Sequence, residues 1–190
     1  MTTIAPTLSA RVLPRTDQKI HTLVLVSLGA MLLALLAQVR IVLPFTPVPV
    51  TGQTLGVLLI GAALGMRKGA ASVSLYLALG LAGLPVFTGS GAGISHLIGA
   101  TGGYLLGFIL AAALVGWLAE RGYERSFRTA LLPFLAGTLI IYLCGALWLA
   151  AFVGSLSKAV ALGVTPFLVG DTLKLLLAGG LLPAAWRLVK

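Results

Sequence analysis

The feature that most restricts what this chain can fold into is a recurrence of long apolar runs separated by short connections. About 20 mostly apolar residues suffice for a helix to cross a bilayer, and on that scale six runs stand out, roughly 21–42, 51–66, 69–84, 99–119, 131–153 and 165–188. A chain in hydrocarbon must satisfy its own backbone hydrogen bonds, and a helix does so within one segment. The expected fold class is an all-α integral membrane bundle of six transmembrane helices. It forms one domain over 1–190, with 1–20 as an N-terminal segment and 21–188 as the bundle. Only 9% of the residues are charged and 59% are hydrophobic, outside the usage of soluble domains.

Arg11, Arg15 and Lys19 precede the first run and resemble the start of a secretory signal. The run exceeds the roughly 7–15 residues of a signal core and lacks a small-x-small cleavage site, so it is expected to be the first span. The net charge of +9 does not indicate nucleic acid, because the cations are scattered through short connections. They indicate orientation instead. Arg11, Arg15, Lys19, Arg67, Lys68, Arg121, Arg125, Arg128, Arg187 and Lys190 collect on one side, while Arg40 and Lys158 fall on the other. The positive-inside rule then makes both termini cytoplasmic. The single cysteine, Cys144, excludes an intrachain disulfide and reads as a small packing residue.

Two connections on the outer side are unusual. Pro44, Pro47 and Pro49 forbid a helix between the first two spans and favour extended backbone. Thr51 is expected to cap the second span, with Gln53 in its first turn. The connection after the third span runs through Phe87, Gly91 and Gly93 without a charged residue. Irregular backbone near membrane depth is tolerated where it is buried or lines a cavity, so a lid over a pocket is expected, with a floppy outer loop as the alternative.

Ionisable groups inside apolar runs are costly, about 2.5–3.5 kcal/mol at a helix centre on insertion scales, and mark functional sites. Asp171 is the only acid in such a run, and Lys174 lies three residues on, on the same helical face. With Thr165 as N-cap and Pro166 at the first helical position, they lie roughly 9 Å and 13 Å below the cap, in the outer half of the membrane. Arg40, near the outer end of span one, reaches the same level. These residues suggest a pocket for a small, partly polar anionic ligand. Asp171 would accept ligand N–H groups, Lys174 would position Asp171 or meet the ligand, and Arg40 would bind a carboxylate. The alternatives are a purely structural Asp171–Lys174 bridge and an Arg40 that only snorkels to the interface.

Phe87, Tyr104, Tyr142 and Trp148 are candidates for the walls of an apolar slot, or for ordinary packing. Ala30 and Ala34 form a small-x-x-x-small seam, and Gly103 with Gly107 another, read as internal packing. His96 reads as a polar loop residue. A phosphate-binding loop, a paired-acid metal site and His-Glu-x-x-His are all missing from the sequence, so neither ATP hydrolysis nor a metal is expected. Ser90 has no orienting group for a nucleophilic triad nearby in the sequence, and enzyme activity is not expected.

Four ordered stretches resemble the signatures of the BioY family, the biotin-binding S components of energy-coupling-factor (ECF) vitamin transporters. They are 47–57, from Pro47 through Thr51 and Gln53; 76–87, from Tyr76 to Phe87; Thr101-Gly102-Gly103-Tyr104 with Gly107-Phe108; and Pro166-Phe167 with Gly170-Asp171 and Lys174. The resemblance implies high-affinity biotin binding near the outer face of a bacterial cell membrane, beneath the first and third connections. The implied binding set is Asp171, Lys174, Arg40, Gln53, Thr51, Phe87, Gly91, Gly93, Tyr104 and Tyr142. Gln53 enters because the chain has no asparagine to grip a ureido ring, and either Arg40 or Lys174 would take the carboxylate. A membrane scaffold subunit and two ATPases are implied as partners, with Ala30 and Ala34 at the docking contact. ATP would be used only by those partners, and no cofactor is expected in this chain. A homo-oligomer, an S component for another vitamin and a non-transport membrane scaffold remain open.

Overall fold

The computed structural model describes residues 18–188. The basic residues Arg11, Arg15 and Lys190, and most of the expected N-terminal segment, lie outside that range. Helix α1 (Gln18–Gln38) leads into a two-stranded antiparallel ribbon, β1 (Arg40–Ile41) and β2 (Val50–Thr51), and then into α2 (Gln53–Leu64) and α3 (Met66–Leu81). A long connection carries the short α4 (Ile94–Leu97) before α5 (Gly102–Ala119). Then follow α6 (Phe127–Val153), α7 (Leu156–Gly163) and α8 (Leu168–Leu188).

Four of the described segments are long and apolar enough to cross a membrane, namely Gln18–Gln38, Gly102–Ala119, Phe127–Val153 and Leu156–Leu188; Gln53–Leu64 is apolar but shorter. Outer surfaces carry large apolar side chains such as Leu35, Leu110, Leu139, Leu147 and Leu177. A surface so apolar suits hydrocarbon rather than water as solvent. Helix α5 is the most enclosed of the long helices, with α2, α3 and α6 packed around it. Its Gly103 and Gly107 face Trp148 and Cys144 of α6 so closely that a methyl group at either would crowd them. These glycines and Cys144 are packing residues, as expected.

Several boundaries depart from the sequence expectation. Span one ends at Gln38 because the next residues pair as a ribbon, with Arg40 opposite Thr51 and Ile41 opposite Val50. Arg40 is thus a strand residue, held by register. Thr51 is not the N-cap of α2; Gly52 is, although the Thr51 hydroxyl accepts the Gln53 N–H at 3.3 Å. The break between α2 and α3 falls on Gly65, whose φ of 85° suits a residue without Cβ. Arg67 and Lys68 therefore lie in the first turn of α3, where Glu120 accepts the Met66 N–H at 3.0 Å and supplies the missing cap. Helix α6 begins at Phe127, capped by Ser126, whose hydroxyl accepts the Thr129 N–H, and α7 was not foreseen because eight residues are too few to stand out in hydropathy. Thr165 does not cap the last helix; its hydroxyl donates to Val160 O, and a turn of 3-10 helix, Thr165–Phe167, precedes α8.

Ala30 is 2% exposed and belongs to the chain's own core, and Ala34 packs against that core. The seam therefore closes α1 on the bundle. Ala34 remains partly exposed at the surface of α1.

At the end opposite the ribbon, Glu124 is fully buried beside Trp186, and its nearest cation, Arg125 Nε, is 4.0 Å away. Burial pushes its pKa up from about 4.5, while its own backbone, Arg125 and Trp186 oppose the shift. As pH rises past 4.5 the unfolded chain ionises this group before the folded one does, so stability is lost with rising pH. Thermal unfolding of Glu124→Gln in detergent between about pH 5 and pH 8 should show a flatter pH dependence than the parent, with the gap widest at the alkaline end.

Candidate functional site

The ribbon, the connection between α3 and α5, and residues of α2, α5, α6 and α8 on the ribbon side enclose a cavity of about 290 Å³. Asp171, in the first turn of α8 and 4% exposed, is its most constrained group. Lys174 Nζ lies 2.6 Å from Oδ1, Thr54 Oγ1 donates to the same oxygen at 3.2 Å, and Tyr142 Oη donates to Oδ2 at 2.7 Å. The cost of the buried carboxylate is offset by three donors from three helices.

Lys174 has three N–H groups and three acceptors, with Thr51 O at 2.8 Å and Thr54 Oγ1 at 2.9 Å besides Asp171. Its hydrogen-bonding capacity is filled. Arg40 differs: its guanidinium lines the cavity against Gly89, and its side chain has no hydrogen bond or ion pair among the described residues. Of the two residues expected to compete for an anion, Lys174 is committed and Arg40 is open. Two cations against one carboxylate leave the lining with one net positive charge. The lining also includes His96, whose pKa is lowered by burial, favouring the neutral imidazole.

Gln53 lies at the head of α2 with a nearly saturated amide. Its Nε2 donates to Tyr76 Oη at 2.7 Å, and its Oε1 accepts from Thr51 Oγ1 at 3.1 Å and Thr88 Oγ1 at 2.8 Å. One Nε2 hydrogen has no partner among the described residues. Tyr104 presents its ring to the cavity and donates its hydroxyl to Gly163 O at 2.8 Å, joining α5 to α7. Leu105, Phe108, Ile141 and Phe167 make an apolar wall.

Seven of the expected residues thus meet at one cavity: Asp171, Lys174, Arg40, Thr51, Gln53, Tyr104 and Tyr142. Phe87, Gly91 and Gly93 do not reach it. Phe87 is fully buried behind the wall, seated on Gly80 and packed edge-on against Tyr76 at 5.4 Å. Gly91 O accepts the Phe87 N–H at 3.0 Å, and the Gly93 N–H donates to Gly80 O of α3 at 2.8 Å, tying the lid to that helix. All three shape the lid that covers the cavity. Trp148 braces its far end by donating to Gly99 O at 2.9 Å. Thr54, Thr88 and His96 line the cavity without having been expected there. Thr54 was legible as a polar residue in the first turn of an apolar helix. His96 was not, because its place depends on stacking over Phe87 at 5.0 Å.

The family model described as "BioY family" matches residues 9–190. The chain is 43% identical over 150 residues to the probable biotin transporter BioY of Pyrococcus horikoshii, covering 78% of this chain and 88% of that protein. It is 38% identical to biotin transporter BioY2 of Lactococcus lactis, covering 85% and 87%. It is also 42% identical to biotin transporter BioY of Thermotoga maritima, covering 72% and 79%. Among solved structures it is similar to the crystal structure at 2.1 Å of the S-component for biotin from an ECF-type ABC transporter, with TM-score 0.78, 27% identity and coverage of 92% and 95%.

Replacing Lys174 by Met keeps the aliphatic stem and leaves the Asp171 carboxylate without its cation. Removing one partner of a buried pair costs about 3 kcal/mol or more, so Lys174→Met should lower the melting temperature in detergent clearly, whereas Arg40→Ala, at an exposed strand position, should leave it close to the parent.

Proposed function

Because the chain belongs to the BioY family, we propose that its cavity binds biotin and that the chain serves biotin uptake as the substrate-binding S component of an ECF transporter. The observation that carries the ligand assignment is the division of labour between the two cations. A ureido ring needs acceptors for two N–H groups and a donor for its carbonyl. Asp171 Oδ2 and the Tyr142 hydroxyl oxygen supply acceptors, and the free Gln53 amide hydrogen supplies a donor. The valeryl chain lies along Leu105, Phe108 and Phe167, and its carboxylate meets Arg40.

In this reading the chain is a single multi-pass domain of the cell membrane. Helices α1, α2, α3, α5, α6 and α8 are its six spans, with both termini cytoplasmic. Support comes from the charge distribution: Lys19, Arg67, Lys68, Arg121, Arg125, Arg128 and Arg187 belong to one side, and Arg40 and Lys158 to the other, with the cavity. A membrane scaffold subunit and two ATPases complete the transporter and supply the energy. The likeness to an S-component of an ECF-type ABC transporter supports this partnership. Ala30 is packed internally, so a partner approaching α1 would meet its outward stripe of Leu28, Met31 and Leu35.

Titration of the purified chain with biotin tests the assignment, and absence of binding at micromolar biotin would reject it. Asp171→Asn should weaken binding about ten-fold or more, as expected for a charge-assisted bond to the ring, and should also lower the melting temperature in detergent, because it leaves Lys174 without its anion. Arg40→Ala should lower affinity for biotin by a similar factor and leave affinity for its carboxamide nearly unchanged; equal losses for both would remove Arg40 from the carboxylate.

A further inference from the structure

We infer that Gln38, which does not line the cavity, is the latch that holds the lid over bound ligand; this rests on the biotin-binding reading. Gln38 is the last residue of α1. Its Nε2 donates to Phe87 O at 3.1 Å and also approaches Val86 O at 3.4 Å and Ala34 O of its own helix at 3.2 Å. Its Oε1 accepts the Ser90 N–H at 3.1 Å. One side chain therefore grips the lid on both sides of its tightest turn, where Phe87 bridges to Gly91.

That turn needs an external hold. Ser90 has φ 58°, the one positive φ of a non-glycine residue among the described residues, and Gly89 before it has φ 68°. A residue with a Cβ enters this region at a cost and stays only where its surroundings fix it. The Gln38 bond to Ser90 N–H does so. Two cavity-lining side chains depend on the same turn: Thr88, which donates to Gln53 Oε1, and His96, which stacks on Phe87. Gln38 is exposed and fills no core space, and its amide is spent on lid backbone. Its effect reaches the ligand only through the position of the lid. Loss of the latch should therefore show in the escape rate of the ligand.

Gln38→Leu removes donor and acceptor at similar size. In the purified full chain, biotin dissociation should accelerate about ten-fold, the scale of one to two net hydrogen bonds. Hydrogen exchange should speed up at the amides of 86–91 and stay unchanged in α5. Dissociation within two-fold of the parent, together with unchanged exchange at 86–91, would overturn the latch. A rise in exchange throughout the chain would also overturn it, by making Gln38 a general structural residue. A parent chain that fails to bind biotin would reject the functional reading, and exchange at 86–91 in the ligand-free variant would still decide the latch.

Discussion

The Asp171 carboxylate is the interaction on which the ribbon-bearing half of the molecule depends. A buried anion must be matched by donors, and here they come from α2 through Thr54, from α6 through Tyr142 and from its own helix through Lys174. Lys174 extends the network by bonding Thr51 O, which fixes the second strand of the ribbon. Three helices and the ribbon are thus arranged around one charge. The balance is incomplete on the ligand side, because Oδ2 accepts a single bond. A fully satisfied network would only have held the helices together; this one also has capacity for a guest.

Around this centre the two irregular connections divide the work. The proline-bearing one is closed at its base by the ribbon and pinned at its tip, where Thr46 Oγ1 donates to Leu162 O at 2.7 Å. The glycine-bearing one is held by backbone contacts to α3, by Trp148 and by Gln38. Its side chains are left either to fill space, as Phe87 does, or to face the cavity, as Thr88 and His96 do. At the opposite end a second apolar cluster, with Leu58, Val115, Phe134 and Leu182, packs the helices without a comparable polar network among the described residues.

Much of this was legible in the sequence, because hydrophobic run length and the cost of buried charge are local properties. The long apolar helices, the proline-bearing break, the lid and the meeting of Asp171, Lys174 and Arg40 follow from them. What was not legible depends on pairing across the chain. Nothing local distinguishes a span that continues to residue 42 from one that stops at Gln38 to form a ribbon. Phe87 resembled a ligand-facing aromatic until Gly80 provided a seat for its ring behind the wall. The two small residues of α1 stood out by spacing alone; which side of a nearly uniformly apolar helix faces in is set by its neighbours, and Ala30 faces in while Ala34 stays partly exposed. Lys174 and Arg40 looked interchangeable by charge; only the count of acceptors around Nζ separates them.

The ribbon has a consequence for how such a site can change over generations. Because Arg40 sits opposite Thr51 in a two-residue register, and Thr51 O accepts from Lys174, the backbone that carries the open cation is tied to the buried pair through the ribbon. Between residues 42 and 49 Thr46 is anchored to Leu162 and Val48 is buried in the core, while Pro47 and Pro49 stand at the cavity rim. The shape of the rim and the spacing of the charges therefore rest on different contacts, and a substitution at Pro47 or Pro49 meets the first before the second.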